Sequence, residues 1–142
     1  MIRSWAFISL YAADLSLQVD GLYGQNFVSD TKQDVLEYFN SLQVNYSIDT
    51  TVDGFEYTHF RDGEITVEYY FNDIDVCVSY RMLFPYEVQE EFTDLLDLSF
   101  ERISESMWKE FDGKQYFIWT LSKVVKGYCI TVSTEHSTGT QK

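Results

Sequence analysis

The N-terminal stretch of the chain has the apolar pattern of two short β-strands. Residues 4–11 are almost continuously apolar, and over residues 14–19 apolar side chains alternate with Ser and Gln. A period of two puts alternate side chains of a strand on one face of a sheet. We therefore predict two strands here, ending at Asp20-Gly21.

A helix is predicted over residues 32–42, where the apolar period changes to three and four. The apolar side chains that share one face are Val35, Leu36, Phe39 and Leu42. Asp30 or Thr31 can cap this helix, because a side-chain oxygen at that position accepts a hydrogen bond from the first turn. We expect this short helix to pack on the sheet.

The segment after this helix predicts three or four strands, over residues 44–51, 55–60, 64–71 and 74–84. The last two form a hairpin if Asn72-Asp73 is a two-residue turn. All apolar residues of the hairpin then share one face, with the cross-strand pairs Phe71 and Ile74, Tyr69 and Val76, Val67 and Val78, and Ile65 and Tyr80.

The other face of this hairpin is acidic. The pairs predicted there are Glu64 with Arg81, Glu68 with Cys77, and Tyr70 with Asp75. A slip of one residue would turn the carboxylates into the core, which favours this register. We expect this face, together with Asp73 in the turn, to meet solvent or a partner.

The turn that precedes the hairpin leaves two alternatives open. It contains Asp62-Gly63, and it can be a loop of two or of three residues. A two-residue loop puts Phe55, Tyr57 and His59 on the acidic face, whereas a three-residue loop puts them in the core. Both alternatives fit the pattern.

The longest helix is predicted over residues 86–111, between Pro85 and Asp112-Gly113. Its core-facing side comprises Val88, Phe92, Leu95, Leu96, Phe100, Ile103, Met107 and Phe111. Its opposite side is acidic and comprises Glu87, Glu90, Glu91, Asp94, Asp97, Glu101 and Glu105, with Leu98 among them and Trp108 at the edge. A final hairpin, residues 114–124 and 128–134 around Lys126-Gly127, completes the sheet.

These elements together predict one α+β domain over residues 1–142, with a polar tail from about residue 135. The expected architecture is a mainly antiparallel sheet of about six or seven strands packed by two helices. The length suits one domain with a substantial hydrophobic core.

Charge narrows the classes of partner. The chain has 23 acidic and 10 basic residues, for a net charge of -13, and residues 62–101 carry eleven of the acidic residues and one basic residue. Such a field repels nucleic acid and anionic membranes and attracts basic protein surfaces. We therefore predict a basic protein partner, no nucleic acid and no membrane.

The two cysteines give no sign of a metal or redox site. Cys77 and Cys129 are isolated, and each lies within an apolar alternating run, which excludes a CxxC motif. We interpret both as reduced thiols of a cytoplasmic protein. No stretch approaches the roughly 20 apolar residues of a membrane span.

The sequence shows no catalytic motif. His59 and His136 are the only histidines, and neither stands in a nucleophile motif with Ser or Cys. Asp73 and Asp75 flank an exposed turn, whereas acid–base catalysis by paired carboxylates needs one of them desolvated. With Glu68 they form the one conceivable hard-metal site. We therefore predict no catalytic residue, no metal and no cofactor, and keep a small carboxylate- or metal-dependent enzyme as the second alternative.

The acidic surface has two interpretations. It is either a solvated face that keeps an aromatic-rich protein soluble, or a surface that binds a partner. A solvated helix usually mixes charges to gain pairs at four-residue spacing, and this one forgoes cations around an exposed Leu98. Our leading hypothesis is a non-catalytic inhibitor of a basic protein, such as an immunity protein or antitoxin against a nuclease, or a phage-type anti-defence mimic of nucleic acid.

The order of the predicted elements resembles that of a known family. An acidic chain of this length with helix, three strands, helix and two strands is similar to the small effector chaperones of type III secretion. The resemblance implies a homodimeric secretion chaperone, which is the first alternative function.

Overall fold

The computed structural model describes residues 26–135. The two strands predicted within residues 4–19, the tail and His136 lie outside the described residues. Two α-helices and eight strands form the described part, in the order α1 (Lys32–Leu42), β1 (Ser47–Thr50), β2 (Glu56–Asp62), β3 (Ile65–Phe71), β4 (Cys77–Phe84), α2 (Gln89–Ser99), β5 (Glu101–Ser104), β6 (Met107–Phe111), β7 (Tyr116–Val124) and β8 (Gly127–Thr134). A single 3-10 turn, Tyr86–Val88, precedes α2.

All eight strands belong to one antiparallel sheet, in the order β1-β2-β3-β4-β8-β7-β6-β5. The predicted α+β class is confirmed, with slightly more strands than predicted. The ring of Phe39 in α1 packs against that of Phe60, with 5.2 Å between the ring centres, and the ring of Phe92 in α2 packs against that of Phe84, with 4.3 Å between the ring centres. Both helices therefore cover the same face of the sheet. The opposite face is called the outer face below.

Helix α1 has the predicted bounds. Thr31 caps it, because its hydroxyl accepts from the Asp34 backbone while the Asp34 side chain accepts from the Thr31 backbone. Val35 and Phe39 are fully buried, as the apolar spacing predicts. The sequence pattern was sufficient to predict this helix because the capping residue and the apolar face lie within a few residues of each other.

The β3–β4 hairpin has the predicted core side on β3 but a different register. Phe71 lies opposite Cys77, Tyr69 opposite Tyr80 and Val67 opposite Met82, with an irregularity after Tyr70. The predicted two-residue turn is therefore wrong.

The reason for the longer turn is the side chain of Asn72. Its Oδ1 atom accepts hydrogen bonds from the backbone of Ile74 at 3.1 Å and of Val76 at 2.9 Å. Asp75 adopts a left-handed backbone with φ of 60°, which Asp tolerates better than most residues. Ile74 and Val78 are consequently exposed and do not enter the core.

This register also changes the predicted pairs on the outer face. Glu68 lies opposite Arg81 rather than Cys77, and Tyr70 lies opposite Ser79 rather than Asp75. Glu64 has no place opposite Arg81, because it belongs to the turn between β2 and β3.

The turn between β2 and β3 is a two-residue loop. It comprises Gly63 and Glu64, since Asp62 pairs with Ile65. Tyr57 and His59 therefore lie on the outer face, opposite Tyr70 and Glu68 respectively. This is the face that the two-residue alternative predicts, although the loop is displaced by one residue.

The long helix predicted over residues 86–111 is wrong. Helix α2 ends at Ser99, and Phe100 turns into an extended backbone and stacks on Trp119 at 5.0 Å. Strands β5 and β6 follow, with Trp108 and Glu110 as the buried positions of β6. Spacings of three and four residues recur among the apolar side chains of this segment by coincidence, and Ile103 and Phe111, placed on the core side, are exposed.

The last hairpin confirms the predicted turn region. Val124 pairs with Gly127, so that Val125 and Lys126 form the turn. A side chain at position 127 is excluded, because a Cβ atom there would lie 2.1 Å from the Phe84 carbonyl oxygen. Glycine thus allows β8 to approach the end of β4 closely.

Candidate functional site

The predicted acidic surface is present on α2 and on the 3-10 turn before it. Phe92, Leu95 and Leu96 are buried against the sheet. The exposed positions around the opposite side comprise Glu87, Glu90, Asp94, Asp97 and Leu98, while Glu91 is half-buried. Leu98 retains 79% of its accessible surface, which confirms the exposure predicted from the helical phase.

Three carboxylates of this surface form no ion pair with the residues that the structure describes. Among residues 26–135, no Lys or Arg forms an ion pair with Glu87, Glu90 or Asp94. Like charges at three- and four-residue spacing repel each other weakly in water. We call Glu87, Glu90, Asp94 and Leu98 the α2 surface.

Asp97 has a different environment from the α2 surface. Its Oδ1 atom accepts a hydrogen bond from the Trp108 indole at 2.9 Å, and its Oδ2 atom pairs with Arg102 at 3.2 Å. The Arg102 guanidinium also lies 5.0 Å from the centre of the Trp108 ring. Asp97 therefore ties the end of α2 to the β5–β6 hairpin.

Two carboxylates predicted to belong to the helix lie beyond it. Glu101 is on the edge strand β5, opposite Lys109, and Glu105 is in the following turn. Both are exposed, but neither extends the α2 surface along one helical face, because the helix has ended.

The outer face of the sheet carries a network around Glu68. Tyr70 donates its hydroxyl to Glu68 Oε1 at 2.8 Å, and Arg81 Nε lies 3.2 Å from the same oxygen. The Tyr57 ring stacks on the Tyr70 ring at 4.8 Å. Burial, followed by the hydrogen bond to Glu68 and its negative charge, raises the pKa of Tyr70.

Glu68 is therefore a paired carboxylate. Its side chain is only 16% exposed, and its charge is matched by Arg81. The solvated carboxylate that the sequence predicts at this position is replaced by a polar network that orders β3 against β4.

His59 lies beside this network. Its Nε2 atom is 2.6 Å from Asp49 Oδ2, and its ring lies 5.1 Å from that of Tyr57. This contact joins the edge strand β1 to β2. It gives His59 a structural role on the outer face.

The remaining acidic residues predicted for this face are dispersed. Asp73 and Asp75 are exposed in the β3–β4 turn, and Glu64 is exposed at the opposite end of β3. Within the described part of the chain, no three His, Cys, Asp or Glu side chains are grouped so that they could hold a metal ion. The hard-metal site considered for Glu68, Asp73 and Asp75 is not assembled.

The outer face has a cavity at one end that the sequence pattern does not predict. Tyr57 pairs with Tyr70, so that the β1–β2 and β3–β4 loops lie at the same end of the sheet. A cavity of about 320 Å³ opens between them, lined by Thr51, Asp53, Phe55, Tyr70, Phe71, Val78, Ser79 and Arg81. The signal available in the sequence was the presence of Val52 and Phe55 in a turn-forming segment.

Exposed apolar side chains accompany this cavity. Phe55 and Val78 line it and are 50% and 41% exposed, and Val52 and Ile74 protrude from the two loops. We call these four residues the loop-end patch. Asp53, Asp73 and Asp75 lie in the same two loops, so the patch has an acidic rim.

Comparisons with family models, curated proteins and solved structures find no match to this chain. Neither of the described helices is long and apolar enough to cross a membrane. The order in residues 26–135 is helix, four strands, helix, four strands. This differs from the order on which the resemblance to secretion chaperones rests, so charge and exposed side chains are the better basis for a function.

Proposed function

We propose that this protein is a non-catalytic inhibitor that binds and occludes a basic surface of another protein. The class includes immunity proteins and antitoxins that block a toxin such as a nuclease, and anti-defence proteins that mimic the charge of nucleic acid. The single observation that carries the proposal is the α2 surface, in which three exposed carboxylates without an ion-pair partner among residues 26–135 precede an exposed Leu98 on one side of the helix.

The chemistry of this surface suits occlusion. Residues 26–135 contain 21 acidic and 8 basic residues, so the described part of the chain carries the whole net charge of -13. A field of this sign accelerates encounter with a basic partner and opposes encounter with other acidic proteins. Carboxylates on the surface then meet the Lys and Arg groups with which the partner would hold phosphates.

The exposed Leu98 can supply binding affinity that charge alone does not. Exposed ion pairs contribute little affinity because water and salt screen them. Apolar side chains that become buried at the centre of an interface carry most of the binding free energy. Leu98 lies one turn after Asp94 and two turns after Glu90 on the same side of α2, so an apolar side chain adjoins the carboxylates there.

The test begins with capture of the partner from the host and its identification by mass spectrometry. The purified partner is then titrated with the intact protein at low and high salt, and the activity of the partner is assayed at saturation. We expect a basic partner, an association rate that falls steeply as salt rises, and loss of the partner's activity.

Variants of the α2 surface make the test specific. The double variant Glu90→Gln and Asp94→Gln should fold normally, because it removes repulsion and leaves the buried side of α2 unchanged. Leu98→Ala should weaken binding at least tenfold. Val125→Ala, an exposed apolar residue in the β7–β8 turn, and Glu37→Gln on α1 are the matched controls.

Three results would contradict the proposal. One is binding that does not change between low and high salt. The second is full partner activity in the saturated complex. The third is hydrolysis of nucleic acid or phosphate esters by this protein with Mg²⁺ or Mn²⁺, lost in an Asp73 or Asp75 variant that remains folded.

A further inference from the structure

The loop-end patch is a second apolar surface, separate from α2. Phe55 and Val78 line a cavity while 50% and 41% of their surface is exposed, and Val52 and Ile74 are more exposed still. Contiguous apolar surface on a protein commonly marks a site for a partner. Val52, Phe55 and Ile74 lie in two neighbouring loops, and Val78 lies at the start of β4. The Tyr57–Tyr70 pairing joins β2 and β3 at this end of the sheet and holds the patch in place.

The polarity and volume of the cavity limit which chemical group it can accept. Phe55, Val78 and the Tyr70 ring give it apolar sides. Arg81, the one cation of its lining, is paired with Glu68, and Asp53, the one carboxylate of its lining, is exposed, so the lining favours an apolar group against Phe55 and Val78 and a cationic group beside Asp53. The volume of about 320 Å³ lies at the low end of the roughly 300–1,000 Å³ found for ligand pockets. One aromatic side chain fits these limits better than a cofactor.

The acidic rim of the cavity favours cationic residues on both sides of that aromatic side chain. Asp53 lines the cavity and is exposed, and within the described part of the chain it has no ion-pair partner. Asp73 and Asp75 are exposed in the adjacent loop. Cations on both sides of an inserted aromatic residue would therefore find opposite charges, without entering the cavity.

We propose that the cavity is an anchor site for an aromatic side chain of a protein segment that carries Lys or Arg on both sides of it. The inference rests on the proposed function for the sign of the partner's charge. It adds a second point of attachment and names the partner residue that occupies it.

Three short peptides provide the probes. The first has Trp between two pairs of Lys, the second has Ala in place of Trp, and the third has Glu in place of Lys. Each is titrated into the full chain, and amide chemical shifts are followed by NMR. We expect the first peptide to shift the signals of Asp53, Phe55 and Val78, with at least tenfold higher affinity than either of the others.

Variants of the cavity test whether the shifts report its occupation. Phe55→Ala and Val78→Ala should each weaken the Trp peptide at least fivefold and leave the Ala peptide unchanged. Asp53→Asn keeps the shape and should weaken both Lys peptides about twofold, since one counter-charge is lost. Val125→Ala is the control for removal of an exposed apolar side chain.

The outcomes separate this inference from the proposed function. Equal affinity of the Trp and Ala peptides, or shifts confined to α2, would refute the anchor site while leaving an acidic binding surface in place. Equal affinity of the Lys-flanked and Glu-flanked Trp peptides would refute the basic segment proposed here and would remove the charge argument from the proposed function.

Discussion

Replacement of Asp97 by Ala tests which carboxylates of α2 hold the fold and which are available to a partner. The substitution removes the acceptor of the Trp108 indole N–H at 2.9 Å and the ion pair with Arg102 at 3.2 Å. Trp108 itself is fully buried among core residues. Its indole N–H would then lose the acceptor that Asp97 provides.

The expected loss of stability follows from these two contacts. The ion pair contributes about 0–1 kcal/mol, because both side chains are 39% exposed to solvent. A hydrogen bond to a charged acceptor contributes about 1.5–3 kcal/mol, and a buried donor without an acceptor costs a similar amount. Relief of repulsion with Asp94 and the better helix propensity of Ala return about 0.5–1 kcal/mol. We therefore expect the free energy of unfolding to fall by about 0.5–3.5 kcal/mol, most of it from the hydrogen bond to the indole.

Urea denaturation followed by circular dichroism measures this change. Asp94→Ala is the matched control, because Asp94 lies one turn earlier on α2, is exposed and forms no ion pair among residues 26–135. It should change the free energy of unfolding by no more than about 0.5 kcal/mol. Asp97→Asn should fall between the two, since an amide oxygen still accepts from the indole. Equal midpoints for Asp97→Ala and Asp94→Ala would refute the structural role assigned to Asp97.

Three further predictions concern the core and its titratable groups. Glu110→Ala removes the buried oxygen that accepts hydrogen bonds from Trp119 at 2.8 Å and from Asn26 at 3.1 Å. It should lower the free energy of unfolding by about 2–4 kcal/mol, with a smaller loss for Glu110→Gln. Equal urea midpoints for the two variants would contradict this. Phe92→Ala should cost about 3–5 kcal/mol in the same assay, because Phe92 is fully buried; a cost below 1 kcal/mol would place it outside the core. Burial raises the pKa of Tyr38 from 10.0 to about 12, so the stability that it contributes is present below pH 10 and is lost as pH rises towards 12. Urea midpoints over this range should fall less steeply in Tyr38→Phe, and parallel curves would show that Tyr38 does not take part.

Several elements were predictable because their determinants are local. The cap at Thr31 and the apolar spacing that follows it define α1 within twelve residues. The alternation from Ile65 to Phe71 gives the core side of β3, and the turn before Gly127 gives the last hairpin. The exposure of Leu98 also follows from its helical phase.

The candidate site was only partly predictable from the sequence. Charge counts and helical phase identify Glu90 and Asp94 as exposed, because both depend on composition and on one helix. They do not separate Asp97 from these two, since its partner Trp108 reaches it from another element. Nor do they reveal the cavity, whose walls at Phe55 and Val78 come from the β1–β2 loop and from β4.

The sequence by itself determined the fold class, the sign of the charge and the exposed side of α2, because each depends on composition or on periodicity within one element. The tertiary structure alone decided where α2 ends and how β3 pairs with β4. Apolar spacing from Val88 to Phe111 fits a helix and a helix followed by strands alike, and contacts between elements, among them the packing of Phe100 on Trp119, select the second. The hairpin register likewise depends on hydrogen bonds of one side chain, Asn72, which a two-residue turn pattern does not include.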